Sequence, residues 1–231
     1  MRWLPNLLTL ANLVSGCVII AAVMQGQAGK ACVAMLACLV FDFLDGLVAR
    51  ALDAYHPLGA QLDSLADMVS FGAASGIVVY HLLLQYQSSE LLAGLAFLFP
   101  VCAAIRLARF NVDAPEQDYF TGLPSPGAAL LIYGLYFIWA FGDEGLVSEL
   151  ALSVPVILGA TLIAAVLMIS RIRHFSLKVK SVGWQGNEVR WVFLVLSTAV
   201  LFLMRQSALS VIIILYILLS LITHSFTRKS P

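Results

Sequence analysis

The chain has 231 residues, of which 61% are hydrophobic and only 11% charged, with a mean hydropathy of +0.95. Soluble domains carry roughly 25% charged residues, so this composition excludes one of them and predicts an all-α polytopic membrane protein. Formal net charge is zero, which leaves no basic surface for nucleic acid.

Apolar runs of bilayer-crossing length predict about eight transmembrane helices. They cover residues 5–24, 29–50, 58–84, 91–110, 124–142, 149–170, 189–204 and 207–224. Most breaks between them are short and polar, such as Gln25–Lys30 and Gln85–Glu90, while Asn111–Leu123 and Arg171–Arg190 are longer. The third run is long enough to tilt or to start outside the bilayer core. Met1-Arg2-Trp3 leads into the first run without a small-residue cleavage pattern, so that run is expected to be retained. No internal repeat or linker divides the chain, and 1–231 reads as a single membrane-embedded domain. Cys17, Cys32, Cys38 and Cys102 lie in apolar runs without C-x-x-C spacing and read as small buried hydrophobes.

Basic residues fall unevenly about these runs. Arg2, Arg50, Arg106, Arg109, Arg171, Arg173, Lys178, Lys180, Arg190, Arg228 and Lys229 group on one side, against Lys30 and Arg205 on the other. The positive-inside rule then puts both termini, and the facing ends of the second and third helices, on the cytoplasmic side of the cell membrane.

Those two ends hold four carboxylates, Asp42, Asp45, Asp63 and Asp67, in otherwise apolar sequence. A carboxylate at the centre of a bilayer costs about 2.5–3.5 kcal/mol, so a group of them calls for cations. Asp42 and Asp45 are three apart, and Asp63 and Asp67 four apart, so each pair shares a helix face. Two such faces opposed make an all-oxygen site suited to Mg²⁺, Mn²⁺ or Ca²⁺. Gly46 and Ala49 continue the first stripe and leave bare backbone against which a nucleotide or diphosphate can lie. Arg50 lies one turn beyond Gly46 and can clamp a phosphate, and Gly59 precedes Asp63 by one turn.

The run Asp42-x2-Asp45-Gly46-x2-Ala49-Arg50-x8-Gly59-x3-Asp63-x3-Asp67 resembles in full the signature of the CDP-alcohol phosphatidyltransferases. The resemblance implies a six-helix catalytic core and a reaction that releases CMP from a CDP-linked lipid or alcohol. It implies that Asp42, Asp45 and Asp63 bind divalent metal, Mg²⁺ or Mn²⁺, as one ion or two. Asp67 would join them and act as general base on the attacking hydroxyl; Gly46, Ala49, Arg50 and Gly59 would hold the CDP group. A metal beside Asp67 weakens it as a base, so positioning with partial proton acceptance is expected over full prior deprotonation.

Further stretches narrow the resemblance to the integral-membrane phosphatidylserine synthases: Pro5–Gly16, Ser64–Gly72, Arg106–Asn111 and Phe120–Pro126. That branch implies CDP-diacylglycerol and L-serine as substrates, with a homodimer in the lipid bilayer. Synthases using glycerol 3-phosphate, an inositol phosphate or another alcohol are the alternative within the family. An ion-coupled transporter is the alternative outside it, although no inverted repeat with broken spans is present.

Arg106 and Arg109, three apart, are read as facing one side, where they bind the acceptor carboxylate or a lipid phosphate, or else anchor the helix end. Asn6 and Thr9 are assigned to CDP; Asn12 shares the face of Thr9, and ordinary polarity at a helix start remains open for all three. Ser70 is expected to bond back to its own helix. Gly72 and Gly76 form a G-x-x-x-G face, for packing within the chain or a dimer seam. The Arg171–Arg190 connection reads as a loop drawn to anionic lipid, and none of the four histidines has ligand spacing, although His56 lies near the site.

Overall fold

The computed structural model describes residues 3–53, 56–86, 88–112, 119–143, 145–175, 188–204 and 207–227. Arg2, Lys178, Lys180, Arg205, Arg228 and Lys229 lie outside the described residues. Helix α1 (Leu4–Met24) and helix α2 (Ala28–Ala51) form an antiparallel hairpin closed at Gly26, whose φ of 67° suits the tight reversal. Ile19, Ala22 and Val23 are buried on one side of the hairpin, and Ala31, Cys32, Ala34, Met35 and Cys38 on the other. The alanines and cysteines among them let two helices approach closely where lipid supplies no hydrophobic driving force between them. Beyond α2 the chain reverses at Asp53, whose φ of 47° lies in the left-handed region that Asp tolerates better than most residues.

Helix α3 (Pro57–Asp67) starts with proline in its first turn, where the missing N–H costs nothing. His56 caps it, Nδ1 accepting from the Leu58 N–H at 3.2 Å, which gives this histidine a structural task. After Asp67 the rod passes through a π-helical turn, Met68–Ala73, into α4 (Ala74–Gln85). A short α5 (Glu90–Ala93) and a 3₁₀ turn, Gly94–Phe97, lead into α6 (Leu98–Val112). A two-stranded antiparallel ribbon, β1 (Tyr119–Thr121) against β2 (Arg173–Phe175), ties the two long connections together.

The remaining helices are α7 (Ser125–Phe141), α8 (Leu146–Ala151), α9 (Val154–Ile169), α10 (Glu188–Met204) and α11 (Ala208–Thr227). The predicted span 149–170 is thus split. Pro155 restarts the helix, and Ser153 Oγ donates to the Leu150 carbonyl left at the end of α8, at 2.8 Å. Four described helices are long and apolar enough to cross a membrane: Leu4–Met24, Ala28–Ala51, Pro57–Gln85 and Glu90–Val112. Four shorter apolar helices, Ser125–Phe141, Val154–Ile169, Val189–Met204 and Ala208–Leu221, complete the expected set. The protein is an all-α polytopic membrane protein.

The core lies where α1, α4, α6 and α7 meet, around Phe71, Leu82, Leu83, Phe99, Ile132, Tyr133 and Tyr136. Gly76 lets α4 touch the start of α6, since a Cβ there would stand 2.9 Å from Pro100 Cδ. Gly72 faces Met68 and Ala103. The G-x-x-x-G face is therefore used for packing within the chain.

Candidate metal centre and active site

Helices α2 and α3 bring their acidic faces together. Carboxylate oxygens of Asp42, Asp63 and Asp67 all lie within 4.8 Å of one another. Asp67 is buried, at 7% exposure, while Asp42 and Asp63 are half-buried. Three carboxylates so close repel one another strongly without a counter-charge. The donor set is all oxygen and suits a hard divalent cation.

Asp45, expected with the other three, is differently engaged. Its Oδ2 accepts from Thr9 Oγ1 at 2.7 Å, which draws it toward α1, although its charge still reaches Asp63 and Asp67. The same Thr9 hydroxyl is 3.1 Å from the Pro5 carbonyl, a second acceptor for its one proton. One turn deeper, Asn12 is fully buried and donates Nδ2–H to Asp67 Oδ1 at 3.3 Å. Helix α1 thus reaches both acidic pairs through polar side chains three residues apart, on one face.

Gly46, Ala49, Arg50 and Gly59, expected to hold a nucleotide, lie on the same two helices as the acidic pairs. A Cβ at Gly46 would meet no atom within 4 Å, so the bare backbone there faces free space. Arg50 is exposed and folds back along α2, its Nε–H donating to the Gly46 carbonyl at 2.9 Å. Ala49 is half-buried. Gly59 lies against α1, where a Cβ would stand 3.2 Å from Asn6 Oδ1. Asn6 and Gly59 therefore meet.

Arg106 and Arg109 do not act as the single face read from their spacing. Arg106 turns inward: Nη1 donates to the buried Ser125 Oγ at 2.8 Å, and its guanidinium lies 5.9 Å from the centre of the Phe110 ring. Arg109 is exposed, and its Nη1 donates to the Ile169 carbonyl at the end of α9, at 3.0 Å. Three residues advance a helix by about 300°, and the 60° left over suffices to send two long side chains to different partners.

Ser70 bonds back as expected, Oγ to the Ala66 carbonyl at 2.9 Å. Sequence reasoning missed Tyr133, whose hydroxyl donates to the Ser70 carbonyl, and Ser125, whose hydroxyl receives Arg106. The nearest signal for Ser125 was its place in the Phe120–Pro126 stretch; nothing local marked Tyr133.

Comparison with known proteins agrees with this geometry. The family profile described as CDP-alcohol phosphatidyltransferase matches residues 2–168. The chain belongs to the CDP-alcohol phosphatidyltransferase family. Among curated relatives, an archaetidylserine synthase of Methanothermobacter thermautotrophicus is 37% identical over 74% of this chain and 69% of its own. A CDP-diacylglycerol–serine O-phosphatidyltransferase of Helicobacter pylori is 32% identical over 96% of this chain and 91% of its own. The enzyme of that name from Bacillus subtilis is 30% identical over 60% of this chain and 78% of its own. CDP-alcohol phosphatidyltransferases are transferases that generally depend on a divalent metal, and the Asp42–Asp63–Asp67 triad fits such an ion.

Proposed function

We propose that this protein transfers the phosphatidyl group of CDP-diacylglycerol to L-serine, giving phosphatidylserine and CMP. The observation that carries the reading is the acidic triad, set in a chain similar along 96% of its length to a serine O-phosphatidyltransferase. Asp42, Asp63 and Asp67 would hold Mg²⁺ or Mn²⁺, one ion or two, and Asp45 would complete the acidic site from the α1 side. A metal held there would supply charge neutralisation on the diphosphate of the CDP-lipid.

The chain's own residues do the rest. Gly46 and Ala49 offer backbone to the CDP group, and Arg50, Gly59 and Asn6 close over it. Thr9 fixes Asp45 for the same site. The serine hydroxyl attacks the phosphorus that carries diacylglycerol, the bond from that phosphorus to the CMP oxygen breaks, and CMP departs. Asp67, steadied by Asn12, orients the hydroxyl and takes its proton as the new bond forms. Arg106 receives the serine carboxylate. Arg109, committed to the end of α9, supports the fold beside it.

The whole chain acts as one membrane-embedded domain. The described basic residues Arg50, Arg106, Arg109, Arg171 and Arg190 fall at the helix ends on the side of the acidic site, which supports a cytoplasmic placement of site and termini. A homodimer, as the resemblance implies, would use a surface other than the Gly72–Gly76 face, which α6 covers.

The test is an acceptor panel. Purified protein in lipid receives CDP-diacylglycerol and Mn²⁺ with L-serine, glycerol 3-phosphate or inositol phosphate, and the product lipid is identified by mass spectrometry. Phosphatidylserine with CMP release is expected. Product only with a phosphorylated alcohol would assign the chain to a sibling synthase.

A further inference from the structure

One turn after Asp67, three elements converge on a single residue. The rod that carries Asp63 and Asp67 departs from α-helical winding at Met68–Ala73, where it holds a π-helical turn. Such a turn accommodates one extra residue, and it leaves a main-chain carbonyl poorly served by its own helix. The Ser70 carbonyl is met from outside the helix, by the Tyr133 hydroxyl of α7. Tyr133 and Ser70 are both fully buried, so water cannot take over that bond. From another helix, α1, Gly16 comes close to the same residue: a Cβ on Gly16 would lie 2.7 Å from Ser70 Cα and 2.9 Å from the Ser70 nitrogen. Ser70 Oγ then returns to the Ala66 carbonyl, next to Asp67.

The consequence is rotational. Relaxing a π-helical turn to α-helical winding removes one residue from the turn and rotates one flank against the other by about 100°. The α4 flank is locked, with Val78, Val79, Leu82 and Leu83 all fully buried and Gly76 against Pro100. The rotation would therefore fall on α3, and would swing Asp63 and Asp67 away from Asp42.

We propose that Tyr133 is a positioning residue: its hydroxyl on the Ser70 carbonyl, together with the close approach of Gly16, holds the π-helical turn that keeps Asp63 and Asp67 turned toward Asp42. It touches neither substrate nor metal. The proposal rests on the acidic triad being a metal site, and on its service in phosphatidyl transfer.

The test compares Tyr133→Phe with the wild type in lipid nanodiscs, reading Mn²⁺ affinity by electron paramagnetic resonance, CMP release, and thermal unfolding. Misplaced ligand-supporting groups lower metal affinity or activity by about 10–100-fold, and a loss in that range is expected in both Mn²⁺ affinity and kcat, with KM for serine unchanged. Gly16→Ala, whose Cβ would crowd the Ser70 backbone, should reproduce the loss of Mn²⁺ affinity, and it serves if Tyr133→Phe does not fold. Tyr136→Phe is the control: that hydroxyl is also buried, one turn along α7, and has no hydrogen-bond partner among the described residues. It should leave both readouts unchanged. A Tyr133→Phe protein that melts earlier yet binds Mn²⁺ and turns over like the wild type would overturn the proposal. A wild type that binds Mn²⁺ but makes no phosphatidylserine would refute the proposed reaction, while the Mn²⁺ comparison would still decide the role of Tyr133.

Discussion

Thr9 and Asp45, thirty-six positions apart, are joined by a 2.7 Å hydrogen bond from the Thr9 hydroxyl to Asp45 Oδ2. The bond makes helix α1 part of the acidic site, because it decides which way the carboxylate nearest Gly46 points. Thr9→Val keeps the side-chain shape and removes the donor, so it should lower activity by about tenfold, the lower end for a partner that orients a ligand. Thr9→Ser should restore most of it. Initial rates of CMP release for the three proteins check this.

Asp67→Asn keeps an oxygen toward the metal and loses the proton acceptor. A positioned general base contributes about 10²–10⁴-fold, so kcat should fall by about a hundredfold or more, with far less change in metal affinity. Paired measurements of kcat and Mn²⁺ affinity decide it. Equal losses in both would make Asp67 a plain ligand.

The two arginines of α6 should separate. Replacing Arg106 by Lys removes the planar fork that bonds Ser125, and should raise KM for serine about tenfold, as expected for a charge-assisted bond of ~1.5–3 kcal/mol. Arg109→Ala loses a bond to the last turn of α9, worth about 1 kcal/mol, and should lower Tm with little change in KM. Serine saturation curves and thermal melts on both variants test the split. A larger KM effect at Arg109 would reverse the assignment.

Gly46→Ala meets no atom within 4 Å, and in an exposed helix interior the exchange should add about 0.5–1 kcal/mol of stability. If the bare backbone at Gly46 lies against the CDP group, the same variant should raise KM for CDP-diacylglycerol. Greater stability with an unchanged KM would remove Gly46 from the nucleotide site.

The sequence made the acidic site legible because its information is local. Asp63 and Asp67 share a helix face by spacing alone, and the helix positions follow from apolar runs of sufficient length. The back-bonded hydroxyl of Ser70 was legible for the same reason, since its partner is four residues away. What spacing did not carry was long-range. Asp42 and Asp45 share a face, yet a threonine on another helix draws Asp45 aside from the triad. Tyr133 meets Ser70 across sixty-three positions, and Met68–Ala73 contains no residue that announces a π-helical turn. Arg106 and Arg109 are close on the helix by spacing, but their different partners, at the start of α7 and the end of α9, are set by packing.

The most direct test of the metal-centred site is a Mn²⁺ titration of metal-stripped protein, with CMP release from CDP-diacylglycerol and L-serine read at each point alongside Asp63→Asn. The wild type should be silent without metal and rise saturably as Mn²⁺ binds, and Asp63→Asn should need far more Mn²⁺ or stay silent. Full-rate CMP release from the metal-stripped wild type, or an Asp63→Asn curve that overlays it, would contradict a catalytic site built on Asp42, Asp63 and Asp67.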